Sequence, residues 1–286
     1  MPSWPPTITS RPAVEFTSSA LAEIMTAGFE GNIVPHAFDA QTFVSRFRRE
    51  SLDMIASRVI EECGRPIGLI LVARRGWTAR IAAIAFAQSH RNRGLGRIAM
   101  TEAIAYLTEL GDRRLTLEVI ETNEPALRLY EGLGFAKQRQ LVGFRRRCLE
   151  QKRESLPDLV EHDPQFIARR LADEGLIDLP WQLAPETLAC MSAPARGVAL
   201  NGSAFAIIEP VHRAECVALR TLYVSRGMRR RGLGNALVEA VSAAYPGCDL
   251  VISACLPEEL ASAFFTRAGF SRTDISQWEM VKRLAE

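Results

Sequence analysis

Two short glycine-bearing stretches constrain this chain more than anything else in it. "SHRNRGLGRIAM" occupies 89–100 and "GMRRRGLGNALV" occupies 227–238. At an offset of 138 residues, Arg91, Arg93, Gly94, Leu95 and Gly96 fall on Arg229, Arg231, Gly232, Leu233 and Gly234. An apolar stripe follows each glycine loop. The first is Leu95, Ile98, Ala99, Ala103, Tyr106 and Leu107; the second is Leu233, Ala236, Leu237, Val241, Ala244 and Tyr245. Their three-and-four spacing is that of a helix with one buried face. Further on, "LYEGLGF" (129–135) is answered by "FFTRAGF" (264–270), now at an offset of 135. A repeat that keeps its order but changes its offset describes two related domains that differ in the length of one loop. The period is far too long for a solenoid.

Each half reads as strand, basic glycine loop, helix, strand, helix, Gly-Phe. In the first half "ASRVIEE", "PIGLILVARR" and "TARIAAIAFA" alternate or run apolar as strands do, broken at "CGRP" and "RGW". Residues 18–29 and 40–50 precede them as helices and frame "GFEGNIVPHAF". "LTLEVIE" (115–121) is the strand after the main helix, and "EPALRLYEGLG" is a short helix capped by Asn123. In the second half Asn201-Gly202 marks a hairpin. "VALRTLYVS" precedes the glycine loop, and "DLVISAC" follows its helix. "EQKRESLPDLVEHDP" is charged and broken by proline, as a linker is. The expected organisation is a first domain at 1–150, a linker with a helix at 151–178 and a second domain at 179–286.

Composition narrows the class of protein. Hydrophobic residues make up 48% and charged residues 24%, enough for packed cores. Net charge is only +2, too weak to imply a nucleic-acid partner, and exposed aromatics interleaved with the basic loops are wanting. Six cysteines include no Cys-x-x-Cys pair and the four histidines are scattered, so no metal site is expected. No apolar run is long enough to span a bilayer, and "MPSWPPTITSRP" has no signal-peptide centre. A cytoplasmic protein with reduced thiols is the expectation, its oligomeric state unspecified.

A strand that runs into glycines and then a helix N-terminus is a cradle for phosphate, because free backbone N–H groups and the helix dipole face the anion. A P-loop would need Gly-Lys-Ser or Gly-Lys-Thr, and neither loop has it. A dinucleotide site is a closer competitor. "GLGRIA" fits Gly-x-Gly-x-x-Ala, and Glu118 lies where a ribose-binding acid would. Yet the polar bridge "QSHRNR" separates strand from glycine, and "GLGNAL" fails the pattern.

The spacing Arg91-x-x-Gly94-x-Gly96, its twin Arg229-x-x-Gly232-x-Gly234, and the later "NEPALRLYEGLGF" together resemble the GCN5-related N-acetyltransferase (GNAT) family. The resemblance covers most of 15–147 and, more loosely, 180–286. It implies an α/β (α+β type) fold of two tandem domains, each a mixed, mostly antiparallel sheet flanked by helices. It implies acetyl-CoA as cosubstrate and transfer of the acetyl group to a primary amine by direct attack in a ternary complex. A non-catalytic acetyl-CoA-binding or sensing module is the alternative. By the same resemblance Arg91, Asn92, Arg93, Gly94, Leu95, Gly96 and Arg97 hold the pyrophosphate. Phe86 offers the backbone N–H for the thioester oxygen, Asn123 lies beside the pantetheine, and Tyr130 assists the sulfur. Glu118 and Glu30 are both candidates for the base. In the second half Val224 answers Phe86, and Arg229, Arg230, Arg231, Gly232, Leu233, Gly234 and Asn235 answer the loop. Tyr130, however, meets Phe265 there and Asn123 meets Glu258, so the second domain is expected to be degenerate and to serve as scaffold, the alternative being activity through another acid such as Tyr223.

Overall fold

Positions 69–72, Leu-Ile-Leu-Val, are all apolar, and that run requires a strand with both faces covered. In the computed structural model, which describes residues 4–33, 37–147, 158–175, 178–211 and 215–284, it is such a strand. In chain order the first run of elements is β1 (Ile8–Pro12), α1 (Ser18–Phe29), α2 (Ala40–Arg49), β2 (Leu52–Glu62), β3 (Arg65–Arg75), β4 (Thr78–Phe86), α3 (Leu95–Glu109), β5 (Arg114–Ile120), α4 (Glu124–Glu131) and β6 (Ala136–Arg146). The second is β7 (Val160–His162), α5 (Pro164–Asp173), α6 (Pro185–Ala189), β8 (Arg196–Leu200), β9 (Ala204–Val211), β10 (Cys216–Val224), α7 (Leu233–Ala244), β11 (Asp249–Pro257), α8 (Glu258–Arg267) and β12 (Ser271–Arg283).

The chain folds into two compact units. The first is Met1–Gln138 with Trp278–Glu286, and the second is Arg139–Gln277. In the first unit β1, β2, β3 and β4 pair antiparallel in succession, β5 joins β4 in parallel, and β12 lies beside β5. Leu69 and Leu71 point to one face, against Leu21, Met25, Phe43 and Phe47 of α1 and α2. Ile70 and Val72 point to the other, against Met100 and Leu107 of α3 and Tyr130 of α4. Strand alternation with helices on both sides accounts for the continuous apolar run. Thr17 and Asp39 cap α1 and α2 by accepting from Ala20 and Thr42 N–H at 3.2 and 2.7 Å.

The second unit repeats this plan. Its strand order is β6, β11, β10, β9, β8, β7, with β10 and β11 parallel and the other pairs antiparallel. Ala206 and Ile208 face α7 and α8, whereas Phe205 and Ile207 face α5. The expected hairpin is present, with Asn201 and Gly202 at φ 50° and 59°, the left-handed region an Asn-Gly turn needs.

Two sequence expectations need correction. The change of offset between the repeats lies in a helix, not a loop: α3 has 15 residues and α7 has 12. The unit boundaries also differ from 1–150, 151–178 and 179–286. Each half's last strand completes the other unit. Val142 and Phe144 of β6 are buried in the second unit's core, and β6 pairs with β11. Met280 of β12 and Leu284 are buried in the first unit's core, where Leu284 N–H bonds Arg113 carbonyl at 2.9 Å. Of the expected linker, 151–157, 176 and 177 lie outside the described residues. Residues 160–173 are part of the second unit as β7 and α5, with β7 paired to β8.

If Met280 belongs to the first unit's core, Met280→Ala should destabilise the protein by about 2–5 kcal/mol, the usual cost of emptying such a site. Chemical unfolding of the two proteins measures it. A loss below about 1 kcal/mol would mean that β12 only decorates an edge.

Candidate active site

The site of each unit begins where two parallel strands stop pairing. β4 and β5 are in register from Thr78↔Arg114 to Ile81↔Leu117 and no further. Beside this point the β3–β4 register slips, leaving Ala82 as a bulge between Ile81 and Ala83. A bulge bends its strand and re-aims the residues beyond it. Ala87 N–H donates to Ile67 carbonyl at 2.8 Å, so Phe86, opposite Gly68, is a non-hydrogen-bonded pair. Its N–H and carbonyl therefore point away from β3, into the space that β5 has vacated. The Phe86 ring lies over Gly68, where a Cβ would sit 2.5 Å from the ring, so only glycine fits.

The glycine loop then turns sharply. Asn92 and Gly94 have φ of 61° and 78° on either side of Arg93, and Gly94 is the N-cap of α3. Alternating backbone hand of this kind gathers N–H groups into a concave nest. Among the described residues, the N–H groups of Asn92 to Gly96 make no hydrogen bond; the first helical bonds start at Arg97 and Ile98 N–H, both to Gly94 carbonyl. Leu95 is buried in the core and pins the start of the helix. Five free N–H groups at a helix N-terminus are a fit for a pyrophosphate.

Arg91 does not point at that nest. Its Nε donates to Phe86 carbonyl at 3.0 Å, and one terminal nitrogen donates to the carbonyls of Gly28 and Glu30 at 3.0 and 2.6 Å. Arg91 is a clamp that ties the loop to the end of β4 and to the C-terminus of α1. Arg93 and His90 both engage Glu62, at 3.2 and 3.1 Å, and those partners hold the Glu62 carboxyl below the usual range. Arg97 reaches Gly132 carbonyl at 3.3 Å.

Tyr130 is buried on α4 against Phe135, and its hydroxyl has no hydrogen-bond partner among the described residues. Burial pushes its phenol up to about 12. Asn123 is a helix cap, accepting from Ala126 N–H at 3.3 Å. The two carboxylates part company. Glu118, one residue past the last β4–β5 pair, has both oxygens on Arg80, at 3.0 and 2.8 Å. Arg80 is itself buried and bridges to Glu50, which Arg46 also contacts. Arg80 thus engages the acid on which the dinucleotide alternative depends. Glu30 is exposed, and its carbonyl is one of the Arg91 acceptors.

The second unit carries the same devices. β10 and β11 pair only from Cys216↔Asp249 to Ala218↔Val251, and Arg220 is the bulge, 138 residues after Ala82. Ser225 N–H bonds Ser203 carbonyl at 2.9 Å, which turns Val224 N–H into the gap as it does for Phe86. Arg230 and Gly232 take φ of 63° and 80°. Arg229 repeats the clamp, donating to Val224 carbonyl at 2.9 Å, but its other partner is the Glu174 carboxylate at 3.2 Å. Phe265 stands in the Tyr130 position: Phe135 N–H bonds Tyr130 carbonyl, and Phe270 N–H bonds Phe265 carbonyl, both at 3.0 Å. Ala218 and Ser253 replace Arg80 and Glu118. Arg231, Leu233, Gly234 and Asn235 complete the loop and the first turn of α7.

Sequence reading missed the Glu50–Arg80–Glu118 group, because its members lie 30 and 38 residues apart and no spacing links them. It also missed Gly28, where a Cβ would meet that of Ala85 at 2.7 Å. A glycine near a helix end just before a loop, in "TAGFEG", is the trace it leaves. Among the described residues no group of His, Cys, Asp or Glu is gathered as metal ligands, and no helix is long and apolar enough to cross a membrane.

The chain is similar to known proteins along its whole length. The model of the acetyltransferase (GNAT) family matches residues 19–135 and again 158–270. Streptothricin acetyltransferase of Streptomyces lavendulae is 37% identical over 71 residues, 24% of this chain and 38% of that protein. Mycothiol acetyltransferase of Thermomonospora curvata is 32% identical over 100 residues, 30% of this chain and 34% of that one. The matches thus span little more than a third of the length of these curated relatives. A GCN5-related N-acetyltransferase from Sphaerobacter thermophilus superposes with a TM-score of 0.67 at 16% identity, over 99% of this chain and 98% of that one. A tandem GNAT protein from the clavulanic acid biosynthesis pathway gives 0.67 at 14% identity, over 98% and 99%. At such identities these two structures show a shared fold. With the family model matched twice over most of its residues and the strand parting, nest and clamp built twice, the chain belongs to the GNAT acetyltransferase family in its tandem form.

Proposed function

We propose that the first unit transfers the acetyl group of acetyl-CoA to a primary amine by direct attack in a ternary complex. The observation that carries this is the nest at Asn92–Gly96 placed one clamp away from the unpaired N–H of Phe86. Acetyl-CoA supplies the activated acetyl thioester. The nest and the dipole of α3 hold pyrophosphate oxygens, and exposed Arg93 and Arg97 add diffuse attraction. Phe86 N–H, fixed by the bulge and by Arg91, receives the carbonyl oxygen as it gains negative charge. Tyr130 keeps its proton at any pH well below 12, so it is a donor toward the departing sulfur throughout the working range.

Glu118 has no place as the base in this proposal, because Arg80 occupies both of its oxygens. Glu30, exposed beside the Arg91 anchor, is the route by which the amine's proton reaches water. Asn123 orders the start of α4 next to the parting. A sensing module without turnover would need the same nest but would have no use for an unbonded Tyr130 hydroxyl. That hydroxyl favours the enzyme reading.

Gly96→Glu isolates the nest from the fold. A Cβ at Gly96 meets only Leu129 Cδ2, at an ordinary 3.5 Å, and a carboxylate in the first turn suits the helix dipole. The unliganded protein should therefore melt no lower than the parent. Saturating acetyl-CoA should stabilise the parent by about 2.7 kcal/mol at a hundredfold excess over Kd, and the variant should lose most of that shift. An unaltered shift would take the pyrophosphate out of this loop.

Tyr130→Phe keeps the ring and deletes the hydroxyl. Its maximal rate at saturating amine should fall about a hundredfold or more, with little change in acetyl-CoA affinity, because the contact matters in the transition state. Since the Tyr130 phenol is raised rather than lowered, any alkaline limb between pH 7 and 10 should be the same in both enzymes. Thiol release measured across that range decides. An unchanged rate, with chemistry shown to limit turnover, would make Tyr130 a packing residue.

A further inference from the structure

The second unit contains a cavity of about 790 Å³ that acetyl transfer in the first unit does not use. Its walls belong to both faces of the sheet. Phe265 and Leu256 come from the core under α7 and α8, and Leu171 comes from the core under α5. A cavity bounded by both cores passes through the sheet, and it does so where β10 and β11 have parted. It starts at the glycine loop, with Arg229, Arg230 and Gly232 to Asn235, and continues along β10 from Val224 to Leu219. At roughly 3.3 Å per residue that is about 16 Å of strand beyond the Val224 N–H.

The lining is part basic and part apolar. Arg230 and Arg267 line the cavity with no ion-pair partner among the described residues, whereas Arg220 and Arg229 are held by Glu209 and Glu174 at 2.8 and 3.2 Å. Leu171, Leu179, Leu183 and Leu219 also line the cavity. Among the described residues no carboxylate does so. Phe265 has no hydroxyl where Tyr130 has one; the phenolic hydroxyl in this cavity belongs to Tyr223, on β10 and not on the helix after β11. Apolar side chains form most of the cavity wall, and that wall is continuous with the glycine loop.

We propose that the second unit holds, without transferring it, an acyl-CoA whose apolar acyl chain is longer than acetyl. The inference rests on reading both loops as coenzyme A sites; what it adds is the chain length and the absence of turnover at this one. The nest and Arg230 take the phosphates, Val224 N–H takes the thioester oxygen, and the four leucines take the chain.

The test is calorimetric titration of the full chain carrying Gly96→Glu, which silences the first loop. Acetyl-CoA, octanoyl-CoA, free coenzyme A and octanoate are the probes. Octanoyl-CoA should bind one site per chain, about tenfold tighter or more than acetyl-CoA or coenzyme A, because six further methylenes leave water. Octanoate alone should bind weakly. Arg230→Glu should weaken both esters, and Leu179→Asn should weaken octanoyl-CoA while leaving acetyl-CoA nearly unchanged. In the unmodified chain two sites should appear, the second preferring the longer ester, which keeps the test alive if the Gly96 variant folds poorly. Equal affinities for the two esters, no ester binding at this site, octanoate as tight as octanoyl-CoA, or thiol release from octanoyl-CoA and an amine in the Gly96→Glu chain would each overturn it. Failure of acetyl transfer itself shows separately, as loss of Tyr130-dependent thiol release in the unmodified chain.

Discussion

Strands β4 and β5 hold register for four residue pairs and then part, and the site is made of the backbone groups that this leaves without a ladder partner. An unpaired N–H inside a protein is costly unless something satisfies it. The first unit surrounds the gap with devices that keep it open. The Ala82 bulge bends β4 away, Gly68 makes room for the Phe86 ring, and Arg91 ties Phe86 carbonyl to the end of α1. A ligand with an acceptor oxygen at the gap and anionic oxygens at the nest satisfies donors that the fold has left free. The same rule applies at β10 and β11, with Arg220 as the bulge and Arg229 as the clamp. The clamp changes partner between units, from two backbone carbonyls to the Glu174 carboxylate, while the Nε bond to the strand end stays at 3.0 and 2.9 Å. The bond that persists is the one that positions the strand.

The repeat, the helix faces, the meander and the two nests were legible in the sequence because each rests on local rules: periodicity, turn chemistry and glycine at positive φ. The strand swap was not. β6 and β12 are apolar at alternate positions, and alternation says that a face is buried without saying in which core. Val142 and Met280 would read the same in either unit. The role of Arg91 was also hidden. An arginine beside a phosphate loop invites a phosphate contact, yet its reach let it find carbonyls at Phe86, Gly28 and Glu30, 5, 63 and 61 residues away in sequence. Glu118 misleads for a related reason. Its place on β5 is plain from the strand pattern, but the residue that neutralises it, Arg80, sits on another strand.

The Glu50–Arg80–Glu118 group shows what separates the two units. Burying three charges is weak evidence for stability, because desolvation offsets most of the attraction. The second unit makes the point internally: it parts its strands with Ala218 and Ser253 at the corresponding positions and still packs a complete core. The fold does not need the ion group. In the first unit it engages both Glu118 oxygens with Arg80 and places a buried polar group at the start of the parting. In the second unit the residues beside Ala218 and Ser253, namely Leu219, Arg220 and Ile252, line the cavity instead. The duplicated frame thus keeps its opening with or without the ion group, and the nest and the clamp are kept in both copies.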